Sequence, residues 1–449
     1  MRNSLFSLFY RDLFLTGRLF GALACSALLF MTSFFLPWLN IVPYLVFFAT
    51  VALLLLDLTL LYSGRNRLFA KRHLPERLSN GDENEISIYL ESRYGLPLSL
   101  EIIDEIPQQF QKRDLVFRAK LKAQGDTLIN YTLRPTRRGE YTFNLLRVFV
   151  SSPLGLIQRR YSFGEPVSVA VYPSFLMMRK YELMAISNRL SEVRIKKIRR
   201  LGTSMEFEQL KNYTPGDDYR SINWKATARQ GNLMVNTYSD EKAQNVYCII
   251  DKSRNMKSAF EGLSLLDYAI NTSLILSSVA LLKEDKAGLI TVSDTAGACI
   301  AADRRSGQLN RIMEALYKEK SRYLETNFEL LYNITRKTLK QRSLVVFFGN
   351  FESMHSLERQ LPFLKKIAKF HLLVVVFFEN TELQKLSGEK ATDVEGIYIK
   401  TIAEKLVYEK KLIAKELSRH GIQSILTAPR NMTVNTINRY LEIKSSQRL

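Results

Sequence analysis

The sequence predicts a multi-domain membrane protein: an N-terminal transmembrane helical hairpin, a β-sandwich, and a C-terminal α/β domain built on a doubly wound sheet. Three patterns along its 449 residues predict this. Two apolar runs, each about 20 residues long, stand side by side near the N-terminus. Short alternating runs broken by Gly and Pro follow. Beyond residue 244, apolar strand-like runs alternate with helix-like ones. Apolar residues make up 46% of the chain and charged residues 24%, the balance of folded material rather than of a disordered chain.

The hairpin comes first, within residues 1–72. Residues 19–39 carry no charge, and residues 41–62 carry one, Asp57. Between them, Pro37, Trp38 and Pro43 suit a tight interfacial turn. Arg2, Arg11 and Arg18 precede the first run, and Arg65, Arg67, Lys71 and Arg72 follow the second, while the turn has no Lys or Arg. Basic flanks stay on the cytoplasmic side, so both ends, and the soluble domains, are expected in the cytoplasm of a bacterial inner-membrane protein. A cleaved signal peptide fits poorly, because a second apolar run follows at once. Asp57 is expected near the interface or against the partner helix.

Residues 73–180 read as the sandwich. Period-two runs lie at 85–90, 98–103, 115–121, 127–133, 141–150 and 167–171, with turn residues between them. Residues 134–141 read as a basic turn entering a strand, and Ser152-Pro153-Leu154-Gly155-Leu156 as a turn closing one.

Residues 181–243 are a basic linker with a dense motif. A basic run at 194–200 leads into Gly202 and Glu206-Phe207, then into a stretch from Tyr213 to Arg229. Within it, Pro215-Gly216 makes a turn and Asp217 or Asp218 caps the next helical turn. Arg220, Lys225 and Arg229 are placed to pair with those acids, and Trp224 is expected to be buried. An ionic network, a docking surface and acid chemistry are all open readings of this cluster.

Residues 244–449 read as the α/β domain. Strands are expected at 246–251, 287–292, 343–348, 372–378 and 422–426, and helices at 263–282, 306–318, 327–338, 355–370 and 402–420. Ligands of such sheets bind beyond the C-terminal ends of the strands. Asp251, Ser253, Asn255, Thr326 and Asn350 fall at those ends. They can form an oxygen-lined cation site, or a loop in which Asp and Ser cap backbone groups. Cys25, Cys248 and Cys299 are too far apart for a disulfide framework and read as small buried hydrophobes.

The central motif, Tyr213-x-Pro-Gly-Asp-Asp-x-Arg-x-Ile-x-Trp-Lys-Ala-Thr-Ala-Arg229, resembles the signature of the bacterial domain of unknown function family 58. The Arg-Arg-Gly-x-Tyr turn at 137–141 and the segment 152–156 resemble it too, although Ser152 and Leu154 stand where the family commonly has Asp and Phe. The 251–255 loop resembles the Asp-x-Ser-x-Ser loop of von Willebrand factor type A domains. That resemblance implies Mg²⁺ or Mn²⁺ at a degenerate site in which Thr326 stands in the second loop and Asn350 replaces an Asp in the third.

The leading reading is a membrane-tethered, non-enzymatic interaction or assembly factor, because a type A-like domain offers a protein-binding face, and the family resemblance implies its partner. The factor would act with a MoxR-type AAA+ ATPase on a client protein, through a surface that includes Tyr213, Gly216, Asp217, Asp218, Arg220, Trp224, Lys225 and Arg229. The chain has no phosphate-binding Gly-x-x-x-x-Gly-Lys-Ser/Thr loop of its own. Two other classes remain. One is a metal-dependent hydrolase using Asp217, Asp218 or Asp251, against which the four scattered histidines argue. The other is nucleic-acid or envelope-stress sensing, prompted by the net charge of +20. Without zinc-finger or RNA-recognition spacing, that charge is assigned to an anionic membrane leaflet, and no nucleic-acid partner is expected.

Overall fold

The computed structural model describes residues 11–63, 67–112, 115–186, 205–215, 217, 219–240, 243–321, 323–389 and 393–446. Arg2, Arg65, the basic run 194–200, Gly202, Gly216 and Asp218 lie outside them. The chain divides into two compact units, Met1–Tyr172 and Pro173–Leu449.

In the first unit, helices α1 (Gly17–Phe35) and α2 (Ile41–Tyr62) form the hairpin. Both are long and apolar enough to cross a membrane, and little of either is buried within the protein. Its strands are β1 (Leu13–Leu15), β2 (Leu68–His73), β3 (Arg77–Ser79), β4 (Asn84–Ser92), β5 (Leu98–Asp104), β6 (Val116–Leu121), β7 (Asp126–Leu133), β8 (Gly139–Phe143), β9 (Leu146–Ser151), β10 (Ile157–Phe163) and β11 (Val167–Tyr172). They form a five-stranded sheet, β1-β10-β9-β5-β6, and two three-stranded sheets, β2-β4-β7 and β3-β11-β8. Alternating residues such as Ile86, Ile88 and Leu90 point into one core.

Leu61 of α2 belongs to that same core, and the hairpin and the β-rich region form one unit. The reason is polar as well as apolar. Fully buried Asp57 accepts hydrogen bonds from Ser152 Oγ, from the Leu156 N–H at 2.9 Å and from the Ile157 N–H at 3.1 Å. Arg159 Nη1 and Tyr94 Oη donate to the Leu61 carbonyl at 2.7 and 2.9 Å, satisfying the helix C-terminus. The 152–156 segment is therefore a socket for Asp57, with Gly155 at φ +65°, where a Cβ would lie 2.8 Å from Arg18 Nη1. The Arg137–Tyr141 turn is structural too, because the Tyr141 hydroxyl donates back to the Arg137 carbonyl at 2.9 Å.

The expected run at 141–150 is two strands, split by a turn at Asn144-Leu145, and β1, β2, β3 and β10 were not anticipated. The boundary at Tyr172, rather than at residue 180, has a packing cause. Helix α3 (Phe175–Ile186) lies on the second unit, where Tyr181 enters its core and Ser174 N–H donates to Asn271 Oδ1 at 3.0 Å.

That second unit continues with an antiparallel pair, β12 (Met205–Asn212) and β13 (Met234–Asp240), which brackets the short helix α4 (Trp224–Gln230). The α/β core then runs β14 (Asn245–Asp251), the two-residue strands β15 (Ala259–Phe260) and β16 (Leu263–Ser264), α5 (Leu265–Leu282), β17 (Lys286–Val292), β18 (Ala296–Asp303), α6 (Gln308–Lys318), α7 (Phe328–Thr338), β19 (Leu344–Phe348), α8 (Met354–Phe370), β20 (Leu372–Phe378), α9 (Thr381–Gly388), α10 (Val394–Arg419), β21 (Gln423–Thr427) and α11 (Met432–Ser445).

The six-stranded sheet has the order β18-β17-β14-β19-β20-β21. Counted along the chain, that is 3-2-1-4-5-6, with only the third strand, β18, antiparallel to its neighbour. Strand β18 escapes the sequence pattern because AGACIAAD has one β-branched residue. As an edge strand it leaves Cys299 exposed, and Cys25 is exposed as well, so only Cys248 is the buried residue expected. Helix α5 is apolar enough to span a membrane, but it lies buried against the sheet. Its polar positions serve that packing: Asp267 caps the first turn with Ser264, and Asn271 receives the Ser174 amide.

Candidate functional site

The sheet order reverses between β14 and β19, which opens a crevice beyond their C-terminal ends. Ile250 pairs opposite Phe348, so Asp251 and the Gly349-Asn350 turn emerge on the same rim. The structure brings three of the expected residues into direct contact there. Asp251 is buried, and its carboxylate accepts from the Ser253 N–H at 2.8 Å, from Ser253 Oγ at 2.9 Å and from Thr326 Oγ1. Burial pushes the Asp251 carboxyl above its usual range, against the lowering effect of these donors.

Asn255 and Asn350 form a second pair. The Asn255 Nδ2 donates to the Asn350 carbonyl at 3.4 Å, and the Asn350 Nδ2 donates to the Asn255 carbonyl at 3.3 Å. The sequence reading missed the residue that completes this corner. Lys410 reaches in from α10, donating from Nζ to Asn350 Oδ1 at 2.8 Å and to the Phe351 carbonyl. Burial holds its amine well below the ordinary lysine range, at about 8. It borders a cavity of about 270 Å³ that also touches Phe260, Leu265 and Glu352. In the sequence Lys410 is one of many lysines on a basic helix, so only the fold distinguishes it.

The other cations near the loop are turned away from Asp251. Lys252 Nζ lies 2.6 Å from Glu319 Oε2, and both side chains are largely buried. Burial pushes Glu319 upward, but the Lys252 and Thr291 hydrogen bonds outweigh it and leave the carboxyl below its usual range. Arg254 pairs with Glu325 at 3.0 Å on the surface. Most polar groups of the loop are thus hydrogen-bonded within the protein, and the Asn350 side-chain oxygen is held by an ammonium. Asn255 Oδ1 is buried with no partner among the described residues. Among the described residues, no three His, Cys, Asp or Glu side chains gather as a metal-holding group.

The central motif takes a different form from the expected one. Asp217 does not cap a helix. It closes a turn, accepting from the Thr214 N–H at 3.0 Å, Thr214 Oγ1 at 2.8 Å and Lys211 Nζ at 2.7 Å. Those donors, Lys211 foremost, hold its carboxyl down at about 2. The cap of α4 is Asn223, whose Oδ1 accepts from the Ala226 N–H at 3.0 Å and whose Nδ2 donates to Asn236 on β13 at 2.9 Å. Gly231, at φ +74°, ends the helix, and Thr227 Oγ1 accepts the Met234 amide at 3.0 Å.

The expectation of a buried Trp224 is wrong: it is 69% exposed, and Tyr219 is 68% exposed. Helix α4 has only seven residues and fixes itself through its cap and Thr227, which leaves its aromatic outside. Lys225 and Arg229, four residues apart, are exposed and pair with no acid among the described residues, contrary to the expected network. Tyr213 contributes its backbone, donating from N–H to the Leu233 carbonyl at 2.8 Å. Arg220 lies in the short 3₁₀ turn Tyr219–Ser221.

Residues 209–391 match the family model described as "Protein of unknown function DUF58", a span that includes both the central motif and most of the α/β core. The chain is similar to the "Uncharacterized protein YeaD" of Bacillus subtilis, 24% identical over 233 residues, which are 51% of this chain and 56% of that protein. The match thus spans little more than half the length of that relative. Among solved structures, the conserved hypothetical protein BatB from Bacteroides thetaiotaomicron aligns over 45% of this chain and 100% of its own, at 13% identity and a TM-score of 0.33. The CARDB domain of the PF1109 protein from Pyrococcus furiosus aligns over 23% of this chain and 86% of its own, at 14% identity and a TM-score of 0.18.

Proposed function

We propose that this chain is a membrane-anchored, non-enzymatic interaction factor that docks a partner protein through the surface around Trp224. One observation carries the reading: a tryptophan and a tyrosine, each more than two-thirds exposed, stand on a braced hairpin beside Lys225 and Arg229. Trp, Tyr and Arg are the residues that most often anchor protein interfaces, because they bury much area with few rotors. Leaving them in water on a rigid support is costly unless a partner covers them.

The 3-2-1-4-5-6 sheet with its antiparallel third strand supports a von Willebrand factor type A-like domain. In this reading its strand-end loop is structural. What argues against Mg²⁺ or Mn²⁺ here is the third loop, where the Lys410 ammonium already occupies the Asn350 side-chain oxygen that would have to serve as a ligand. A hydrolase reading meets an obstacle of its own, since Asp217 and Asp251 each already accept three hydrogen bonds from neighbouring donors. The hairpin with its basic flanks supports a bacterial inner-membrane location with cytoplasmic domains. The family resemblance names the partner: a MoxR-type AAA+ ATPase that would hydrolyse ATP while this chain presents the client.

The test is binding of the detergent-solubilised full chain to that ATPase. Trp224→Ala and Lys225→Glu should each weaken it at least tenfold, about 1.4 kcal/mol, with unchanged melting temperature. Equal affinity of both variants and the parent would reject the surface.

A further inference from the structure

At the opposite end of the α/β sheet, where β19 and β20 begin, the C-terminal ends of α7 and α8 line an open cavity of about 240 Å³. It lies far along the strands from the switch point, and none of the motifs above contributes to it. Four cations border it: Arg336 and Lys340 at the end of α7, Arg342 before β19, and Lys366 on α8. Among the described residues, no carboxylate lines it. Arg336, Lys340 and Lys366 form no ion pair with any described residue, although Lys366 stands over the Tyr332 ring, 5.5 Å from its centroid.

Basic residues near a helix C-terminus are ordinarily explained by the helix dipole. That explanation covers Arg336, but not the concavity or the residue in its wall. His371 is 8% exposed, lines the cavity, and its buried Nδ1 has no hydrogen-bond partner among the described residues. An unpaired buried donor or acceptor costs about 1–3 kcal/mol, so this ring gains by turning a nitrogen toward a partner. Rotating the ring by 180° about χ2 exchanges Nδ1 with Cδ2 and turns a ring nitrogen toward another side of the wall. Phe370, 56% exposed, supplies an apolar edge to the same opening.

We propose that this cavity binds a small phosphate-bearing ligand, with Arg336, Lys340, Arg342 and Lys366 around the phosphoryl oxygens and His371 as a hydrogen-bonding wall. The chemistry is specific. Guanidinium forks match phosphate oxygens in pairs, and ammonium groups add unoriented charge. The size is selective as well. Pockets for drug-sized ligands begin at about 300 Å³, so this one suits a phosphate, a pyrophosphate or a headgroup rather than a dinucleotide.

The experiment is calorimetric titration of the full chain in a neutral detergent at low salt, with two probes: inorganic pyrophosphate and dihexanoyl phosphatidic acid. Binding of either supports the site. Pyrophosphate alone points to a soluble phosphate, and phosphatidic acid alone to a lipid headgroup. Dissociation constants near or below about 1 mM are expected, weakening at least tenfold in the Arg336→Ala/Lys340→Ala double variant. Both residues are exposed, so the variant should keep its melting temperature. His371→Phe, which keeps the ring volume and removes the nitrogens, should also weaken binding. Absence of saturable heat with both probes, or equal binding by parent and double variant, overturns the proposal.

Discussion

Asp57→Ala should loosen the junction between the hairpin and the sandwich. The carboxylate accepts three donors, Ser152 Oγ and the amides of Leu156 and Ile157, and the residue has no solvent exposure. Alanine leaves two backbone N–H groups buried and unpaired. At about 1–3 kcal/mol each, with partial relief from relaxation, the loss is about 3 kcal/mol. Asn keeps one acceptor oxygen for the two amides, and the Ser152 hydroxyl can turn to accept from the new NH₂. Asp57→Asn should therefore lose about 1 kcal/mol. The difference of about 2 kcal/mol is roughly a thirtyfold factor in local opening. Hydrogen exchange of peptides spanning 154–158 in the detergent-solubilised chain reads that opening directly. Exchange there that changes less than about threefold in Asp57→Ala would refute the idea that these hydrogen bonds clamp the junction.

Four further outcomes are expected. Glu319→Gln should destabilise the second unit by about 3 kcal/mol in denaturant unfolding, because it leaves the Lys252 ammonium buried without its counter-charge. The same pair has a pH signature: Glu319 titrates below its ordinary 4.5, so its contribution is intact above that pH and is lost as the medium is acidified below it. Lys410 has the opposite sense. With its amine near 8 when folded and near 10.5 when unfolded, the unfolded chain holds more protons between these values, so stability should rise across that window. Relative to Lys410→Met, the parent should gain about 3 kcal/mol from pH 8 to pH 10.5, and parallel pH profiles would contradict the buried charge. Titration of the full chain with Mg²⁺ or Mn²⁺ should give no saturable heat at about 1 mM, and a metal-induced rise in melting temperature that disappears in Asp251→Ala would reverse the reading of that loop.

Much of the α/β unit was legible because its strands are buried on both faces and its helices on one. Continuous runs such as LVVFF and LLVVVFF cannot be left in water, so composition alone locates β19 and β20. Elements that failed this test were missed: β18 with its small residues, α9 with its polar surface, and α11, whose burial depends on Tyr440 and Lys444 meeting Asp285. Trp224 misled for the converse reason. Hydrophobicity predicts burial only where the element has a neighbour to pack on, and a seven-residue helix held by its own cap needs none.

The same division holds for the sites. Asp251, Ser253 and Thr326 could be brought together on paper, because strand ends in such sheets share one rim. That their oxygens satisfy one another, that Lys410 comes from about 60 residues away to hold Asn350, and that His371 sits in a ring of cations are consequences of packing. By itself the sequence determined the two apolar helices, the β-rich region and the strand-helix alternation, because burial of apolar side chains follows a local period. Only the tertiary structure decided which polar atoms find partners, because a hydrogen bond depends on distances of about 3 Å between segments far apart in the chain. Asp57 shows this most directly. In the sequence it is a lone charge in an apolar helix, and in the fold it helps to join that helix to the β-rich region.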